Sequence, residues 1–110
     1  MKAKPWKKIS GGFEPCKPEE ATHVEINRPG PMGAAMLPVR LSGPRANTPE
    51  WTWNGSVDAP TLKPSIKSVY DSKASKVICH SWVTDGKIKF LDDCTHELAG
   101  ETVDLFEVDD

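Results

Sequence analysis

Apolar and polar residues alternate with a period of two in several short stretches of the chain, the pattern of strands that bury one face. Prolines and glycines, 10 and 8 in number, separate these stretches and favour turns over long helices. The expected strands cover residues 22–26, 36–41, 50–55, 66–70, 76–84, 87–91 and 102–108. We therefore predict a mainly β fold, a small antiparallel sheet or a barrel-like one. At most one short helical turn is expected, near residues 93–99.

The strongest local signal is a hairpin over residues 76–91. Asp85-Gly86 separates two β-prone runs, and this dipeptide favours a two-residue hairpin turn because both turn positions need a positive φ. In that register Thr84 faces Lys87.

The length of 110 residues corresponds to one domain. Residues 1–20 contain a Gly-Gly pair and three prolines, so we expect an irregular N-terminal arm there. Residues 21–110 are expected to form a single β-rich metal-binding domain.

Charge and hydropathy exclude several classes of partner. The net charge is −2 and there is no dense basic run, so nucleic-acid binding has no electrostatic support. No apolar stretch approaches the roughly 18 residues of a membrane span, and no apolar segment follows the basic start as it would in a secretory signal. Three cysteines are an odd number, as is normal in a reducing compartment. We expect a cytoplasmic protein with no nucleic-acid or membrane partner.

Two cysteines and two histidines lie near the base of the hairpin, in Cys79-His80 and Cys94-Thr95-His96. The hairpin register sets Cys79 opposite residue 92, so Cys94 is diagonal to Cys79 on the same face. His96 keeps the parity of Cys94 if the chain stays extended. Thiolates and imidazoles are preferred zinc ligands, so we predict zinc as the cofactor and these four residues as its candidate ligands.

His80 is the ambiguous member of this set. Adjacent strand residues point to opposite faces, so Cys79 and His80 can bind one ion only if a bulge intervenes. Four ligands would make a closed structural site, whereas three would leave a position open for water, as in catalytic zinc sites. His80 is thus either the fourth ligand or a catalytic base. The alternatives without a metal are a buried Cys79 acting as a small hydrophobe, a Cys79–Cys94 disulfide, which a reducing compartment disfavours, and unrelated histidines.

Hydroxyl and carboxyl groups near these residues are candidates for catalysis. Ser65 and Ser81 are possible nucleophiles if a histidine is free to act as base. Asp93 and Glu97 flank the candidate ligands, and either can orient a ligand or act as general base for a zinc-bound water.

Four segments together resemble a family of small phage, prophage and bacterial proteins. They are Trp-Thr-Trp-Asn-Gly at 51–55, Pro-Thr-Leu-Lys-Pro-Ser-Ile at 60–66, the Cys-His-Ser run at 79–91, and Asp-Cys-Thr-His-Glu-Leu-Ala-Gly at 93–100. The resemblance covers roughly residues 20–106. Some members carry an ammonia-monooxygenase label, which implies membrane spans that this sequence lacks. Others lie beside bacterial ubiquitin-like conjugation genes, which implies a peptidase that trims or removes the modifier.

Two functions are consistent with these patterns. The first is a zinc-binding hydrolase, a zinc-dependent or serine peptidase that acts on a protein tail such as that of a ubiquitin-like modifier. The alternative is a non-enzymatic phage or host-interaction protein in which zinc is purely structural. Both predict a protein or peptide as the partner.

Overall fold

The computed structural model describes residues 1–41 and 50–108. Within these ranges the chain forms nine strands and one short 3-10 helix, Pro18–Glu20. The strands are β1 (Lys4–Ile9), β2 (Gly12–Pro15), β3 (His23–Asn27), β4 (Ala34–Arg40), β5 (Trp51–Trp53), β6 (Leu62–Asp71), β7 (Lys76–Thr84), β8 (Lys87–Phe90) and β9 (Thr102–Asp104). The mainly β fold is thereby confirmed. In the part of the chain so described, no helix is long and apolar enough to traverse a bilayer.

The strands lie in a single sheet with the order β2-β1-β3-β4-β5-β6-β7-β8-β9. Neighbouring strands are antiparallel except for β4 and β5, which run parallel. An isolated bridge joins Asn27, at the end of β3, to Phe106, beyond β9. The chain after β9 thus returns to β3, and the sheet curls around its buried face.

The core is formed by the inward side of this curled sheet. Alternate positions along the strands are buried, for example Ile88 and Phe90 on β8. The largest fully buried side chains are Trp53, Phe90, Ile26, Leu62, Ile88, Val24 and Val83. The indole of Trp53 donates a hydrogen bond to the carbonyl of Ser56 at 3.0 Å, so its polar atom is satisfied inside the core.

The N-terminal segment is where the sequence-based expectation is wrong. Residues 1–20 are not an irregular arm, because β1 and β2 form a hairpin whose first strand pairs with β3. The buried positions here are Ala3 and Pro5, which carry too little apolar surface to produce a recognisable alternation. A boundary at residue 20 would therefore pass through one continuous sheet.

The hairpin at residues 76–91 has the register expected from its turn. Thr84 pairs with Lys87, and Asp85 and Gly86 both have positive φ, 51° and 78°. After β8 the chain forms tight turns without an α-helix in the described residues, held by hydrogen bonds such as Cys94 N–H to the Leu91 carbonyl at 3.2 Å. These turns lie against β7 and bring residues 91–100 to its edge.

Candidate active site and metal centre

A serine, a histidine and an aspartate form a hydrogen-bonded chain on the exposed face of the sheet. Oγ of Ser65 lies 2.9 Å from Nε2 of His80. Nδ1 of His80 lies 3.0 Å and 3.2 Å from the two carboxylate oxygens of Asp93. Both distances are within hydrogen-bond range, and the order is that of a nucleophile, its base and the group that orients the base. We call these three residues the triad.

Three separate elements supply the triad. Ser65 is on β6, His80 is on β7, and Asp93 is in the turns after β8. The pairing of β6 with β7 shifts register between Leu62 and Ile66, so Ser65 lies in an irregular segment without a Cα partner on β7. Such irregularities re-aim side chains and are frequent beside functional sites. The Ser65 carbonyl instead accepts a hydrogen bond from the Trp51 indole at 3.4 Å.

The charge of Asp93 fixes the roles of the two ring nitrogens of His80. The hydrogen bond with His80 holds the pKa of the Asp93 carboxyl below its ordinary value, so the group is a carboxylate at neutral pH. A carboxylate can only accept, so Nδ1 donates to it and the neutral ring presents the lone pair of Nε2 to Ser65. This is the tautomer that a general base needs. The His80 side chain is 23% exposed and that of Asp93 49%, so the triad is open to a large substrate.

A second group of residues lies on the other side of β7. The ligand atoms of Cys79, Cys94 and His96 all lie within 4.8 Å of one another, and we call these residues the Cys–His cluster. Cys79 and Cys94 are buried free cysteines, and His96 is half-buried. The cluster can hold a metal ion.

The surroundings of His96 fit such an ion. Its Nε2 is buried and has no hydrogen-bond partner in the described part of the chain, an arrangement that is costly unless something else binds the atom. The ring packs edge-on against Phe90, with centroids 4.8 Å apart. Gly30, at a φ of +99°, also lies near the ring, because a Cβ at this position would be 3.7 Å from Cε1 of His96. The imidazole is thus packed between neighbouring groups.

A buried arginine lies close to Cys79. Arg28 is 4% exposed and donates to the carbonyl of Gly33 and to Oγ of Ser68, each at 3.0 Å. Ser68 is the strand partner of Cys79. Burial raises the pKa of the Cys79 thiol, and the positive charge of Arg28 opposes that shift. A cation in this position favours thiolate, the form in which cysteine binds metals.

Two dipeptides, Cys79-His80 and Asp93-Cys94, each contribute one residue to the triad and the other to the Cys–His cluster. On β7, Cys79 points inward and His80 outward, as strand alternation requires. The structure therefore brings Cys79, Cys94 and His96 together and places His80 with Ser65 and Asp93 instead.

The other two candidate residues lie elsewhere. Ser81 points into the core with 0% exposure. Glu97 is exposed and, with His96, lines a cavity of about 380 Å³ on the cluster side. Sequence reasoning missed Trp51 and Arg28. Pairing of the expected strand 50–55 with the segment 60–66 would have suggested Trp51, whereas the Asn-Arg-Pro-Gly turn around Arg28 carries no signal of its burial.

Comparison with known proteins supports a catalytic serine in this protein. A protein-family model described as a bacterial ubiquitination-like system serine protease (BubE) matches residues 15–91. The chain belongs to this family. The BubE match agrees with the resemblance to small bacterial proteins near ubiquitin-like systems, and it contains Ser65 and His80. Asp93, Cys94 and His96 follow the matched range. Searches of curated proteins and of solved structures gave no significant match.

Proposed function

We propose that this BubE-family protein is a serine peptidase that cleaves a protein tail, such as the tail of a ubiquitin-like modifier. The observation that carries the proposal is the continuous hydrogen-bonded triad, with Ser65 as nucleophile, His80 as general base and Asp93 as the group that orients it. The family description supports both the reaction class and the protein nature of the substrate.

In the first half of the reaction, Oγ of Ser65 attacks the carbonyl carbon of the scissile peptide bond. The hydroxyl proton passes to Nε2 of His80, and the Asp93 carboxylate stabilises the resulting imidazolium. The tetrahedral intermediate collapses when the C–N bond breaks and His80 gives its proton to the leaving amine. An acyl ester on Ser65 remains.

In the second half, His80 takes a proton from water, which attacks the ester carbonyl. The C–O bond to Ser65 then breaks, the proton returns from His80 to Oγ, and the free carboxylic acid leaves. The three residues are thereby restored to their starting state.

The position of the triad favours a flexible segment of a protein as the substrate. The triad lies on a sheet face, and Asp93 is about half exposed. Trp82 is 39% exposed and, two residues after His80, points to the same face of β7. An extended tail can lie along this face and pack against the indole.

We propose zinc as the ion at Cys79, Cys94 and His96. Two thiolates and one imidazole form a donor set that zinc prefers, and His96, whose buried Nε2 has no hydrogen-bond partner among the described residues, offers the imidazole. When bound, zinc would supply a cross-link between β7 and the turns after β8. The cluster lies on the opposite face of β7 from Ser65, which favours the serine over a metal-activated water as the nucleophile.

The proposal is tested with a fluorophosphonate probe, which reacts with activated serines. Oγ of Ser65 would form a bond to phosphorus as fluoride leaves, and mass spectrometry of peptides would locate the adduct. We expect Ser65→Ala to remove labelling, and Asp93→Asn to slow it by a factor of up to about 10⁴. Ser81→Ala is the matched control and should label at the wild-type rate.

Cleavage is then measured on fusions of a ubiquitin-like protein to a C-terminal extension, with wild-type protein and Ser65→Ala. Labelling that persists in Ser65→Ala, or a folded wild type that neither labels nor cleaves, would contradict the proposed activity. The second result would favour the non-enzymatic alternative.

A further inference from the structure

The triad and the Cys–His cluster are joined through the backbone of a single residue, His80. Sγ of Cys94 accepts a hydrogen bond from the N–H of His80 and donates one to its carbonyl, both at 3.1 Å. The same carbonyl accepts the N–H of Leu91 at 2.9 Å. The side chain of one cluster residue thus contacts the main chain of the proposed base.

Further contacts attach the segment that carries Asp93 to β7. The N–H of Thr95 donates to the carbonyl of Ile78 at 3.0 Å, and the N–H of Ile78 donates to Oγ1 of Thr95 at 2.9 Å. Asp93 itself lies in a turn rather than in a strand. Its distance from His80 therefore depends on how firmly the residues beside it are anchored.

Resting on the proposed peptidase function, we propose that a metal ion in the Cys–His cluster positions Asp93 against His80 and thereby sets the rate of the triad. The ion would join Cys79, which precedes His80, to Cys94, which follows Asp93. It would fix the distance between Cys79-His80 and Asp93-Cys94 more tightly than the hydrogen bonds do. Cys79, Cys94 and His96 act here as positioning residues.

The geometry of the ligands supports this coupling. Bonds to zinc have narrow length ranges, about 2.3 Å to sulfur and about 2.0–2.1 Å to nitrogen. Displacing a catalytic group by about 1 Å can cost roughly a hundredfold in rate. As a metal-bound thiolate, Cys94 still accepts the N–H of His80 but no longer donates to the His80 carbonyl, which keeps the N–H of Leu91 as its donor. Two of the three contacts that hold the main chain of His80 are therefore compatible with the bound ion.

The test compares the full chain loaded with Zn²⁺, loaded with Cd²⁺ and stripped of metal. Cadmium forms longer bonds to sulfur, so it should keep the fold while changing the spacing of the dipeptides. Metal content, far-UV circular dichroism and Tm establish that each form is loaded and folded. The rate of fluorophosphonate labelling at Ser65 is then measured against probe concentration.

We expect the cadmium form to keep the half-saturating probe concentration of the zinc form while its maximal labelling rate falls roughly tenfold or more. A merely structural ion would leave the maximal rate unchanged. Cys16→Ser is the matched control, because Cys16 lies outside the cluster and should alter neither metal content nor rate.

A second measurement does not depend on labelling. The Nδ1 proton of His80, shared with Asp93, is expected as a far-downfield proton resonance that Asp93→Asn removes. It should shift between the zinc and cadmium forms. Absence of metal binding would overturn the inference, and so would equal maximal rates with an unmoved resonance. A resonance that shifts in a protein that never labels would instead uphold the coupling and overturn the proposed function.

Discussion

At the scale of single residues, side-chain direction on β7 separates the two serines near His80. Ser81 follows His80 directly and so points to the other face, where it is fully buried and its Oγ has no hydrogen-bond partner among the described residues. Ser65 lies 15 positions before His80 in the chain, on the neighbouring strand β6, and its Oγ is 2.9 Å from Nε2 of His80. The serine closest in sequence is therefore the one least able to react.

Replacing Ser81 by alanine is expected to leave the fold at least as stable as the wild type. The change removes a buried hydroxyl without a partner, whose desolvation costs about 1–3 kcal/mol, and leaves only a small void in return. Urea denaturation measures the free energy of unfolding. A loss of more than about 1 kcal/mol would show that the hydroxyl has a partner in solution.

The two halves of the candidate site differ in how far the sequence predicts them. The grouping of Cys79, Cys94 and His96 is predicted from alternation and from the Asp85-Gly86 turn, both of which are local. The residues after Phe90 form turns rather than the extended chain on which the prediction for His96 relied. The triad requires the register of β6 against β7 and its shift before Ile66. That register depends on packing of the whole strand, so the sequence yields Ser65, His80 and Asp93 as candidates without selecting them as a set.

At the scale of elements, an ion pair links the last two strands beside the proposed active face. Nζ of Lys87 on β8 lies 2.9 Å from Oδ1 of Asp104 on β9, and Nζ of Lys2 lies 3.7 Å from the same oxygen. The hydrogen bond from Lys87 and the charge of Lys2 hold the pKa of the Asp104 carboxyl below its ordinary value. This pair contributes to the attachment of β9.

Its contribution to stability depends on pH in a definite direction. Because the folded pKa of Asp104 is lowered, the stabilisation is complete above the unfolded value of about 3.9 and is lost as pH falls through the folded pKa. We expect Asp104→Asn to lower Tm slightly near pH 7, since the pair is exposed. In thermal melts at a series of pH values, the difference in Tm between Asp104→Asn and the wild type should vanish at the lowest pH. A Tm difference of equal size at every pH would contradict the assigned role of Asp104.

At the scale of the whole molecule, the N-terminal hairpin is an integral edge of the sheet. β1 pairs with β3, and the backbone N–H groups of Lys2 and Ala3 both donate to the carbonyl of Val57, at 2.7 Å and 3.0 Å. The sequence does not reveal this, because the hairpin buries small side chains and presents its larger ones, such as Phe13, to solvent.

Deleting residues 1–16 is therefore expected to destabilise the protein by at least about 2 kcal/mol, a fall in Tm of roughly 10 °C. The deletion uncovers the edge of β3 and the core around Val24, and an uncovered edge also favours aggregation. Thermal melts and size-exclusion chromatography measure the two effects. Lys7→Ala, an exposed change on β1, is the control; an unchanged Tm in the deletion variant would restore the irregular-arm interpretation.

The alternation along β7 also determines which changes of chain length the protein can survive. A single residue inserted between Cys79 and His80 would turn one of them to the wrong face, because the period of a strand is two. One insertion would then remove an ion ligand or the proposed base. Two inserted residues would preserve both directions but would move Cys79 and His80 roughly 6–7 Å further apart along the strand, so that one of them would lose its partners. The adjacency of Cys79 and His80 is therefore required as well as their alternation.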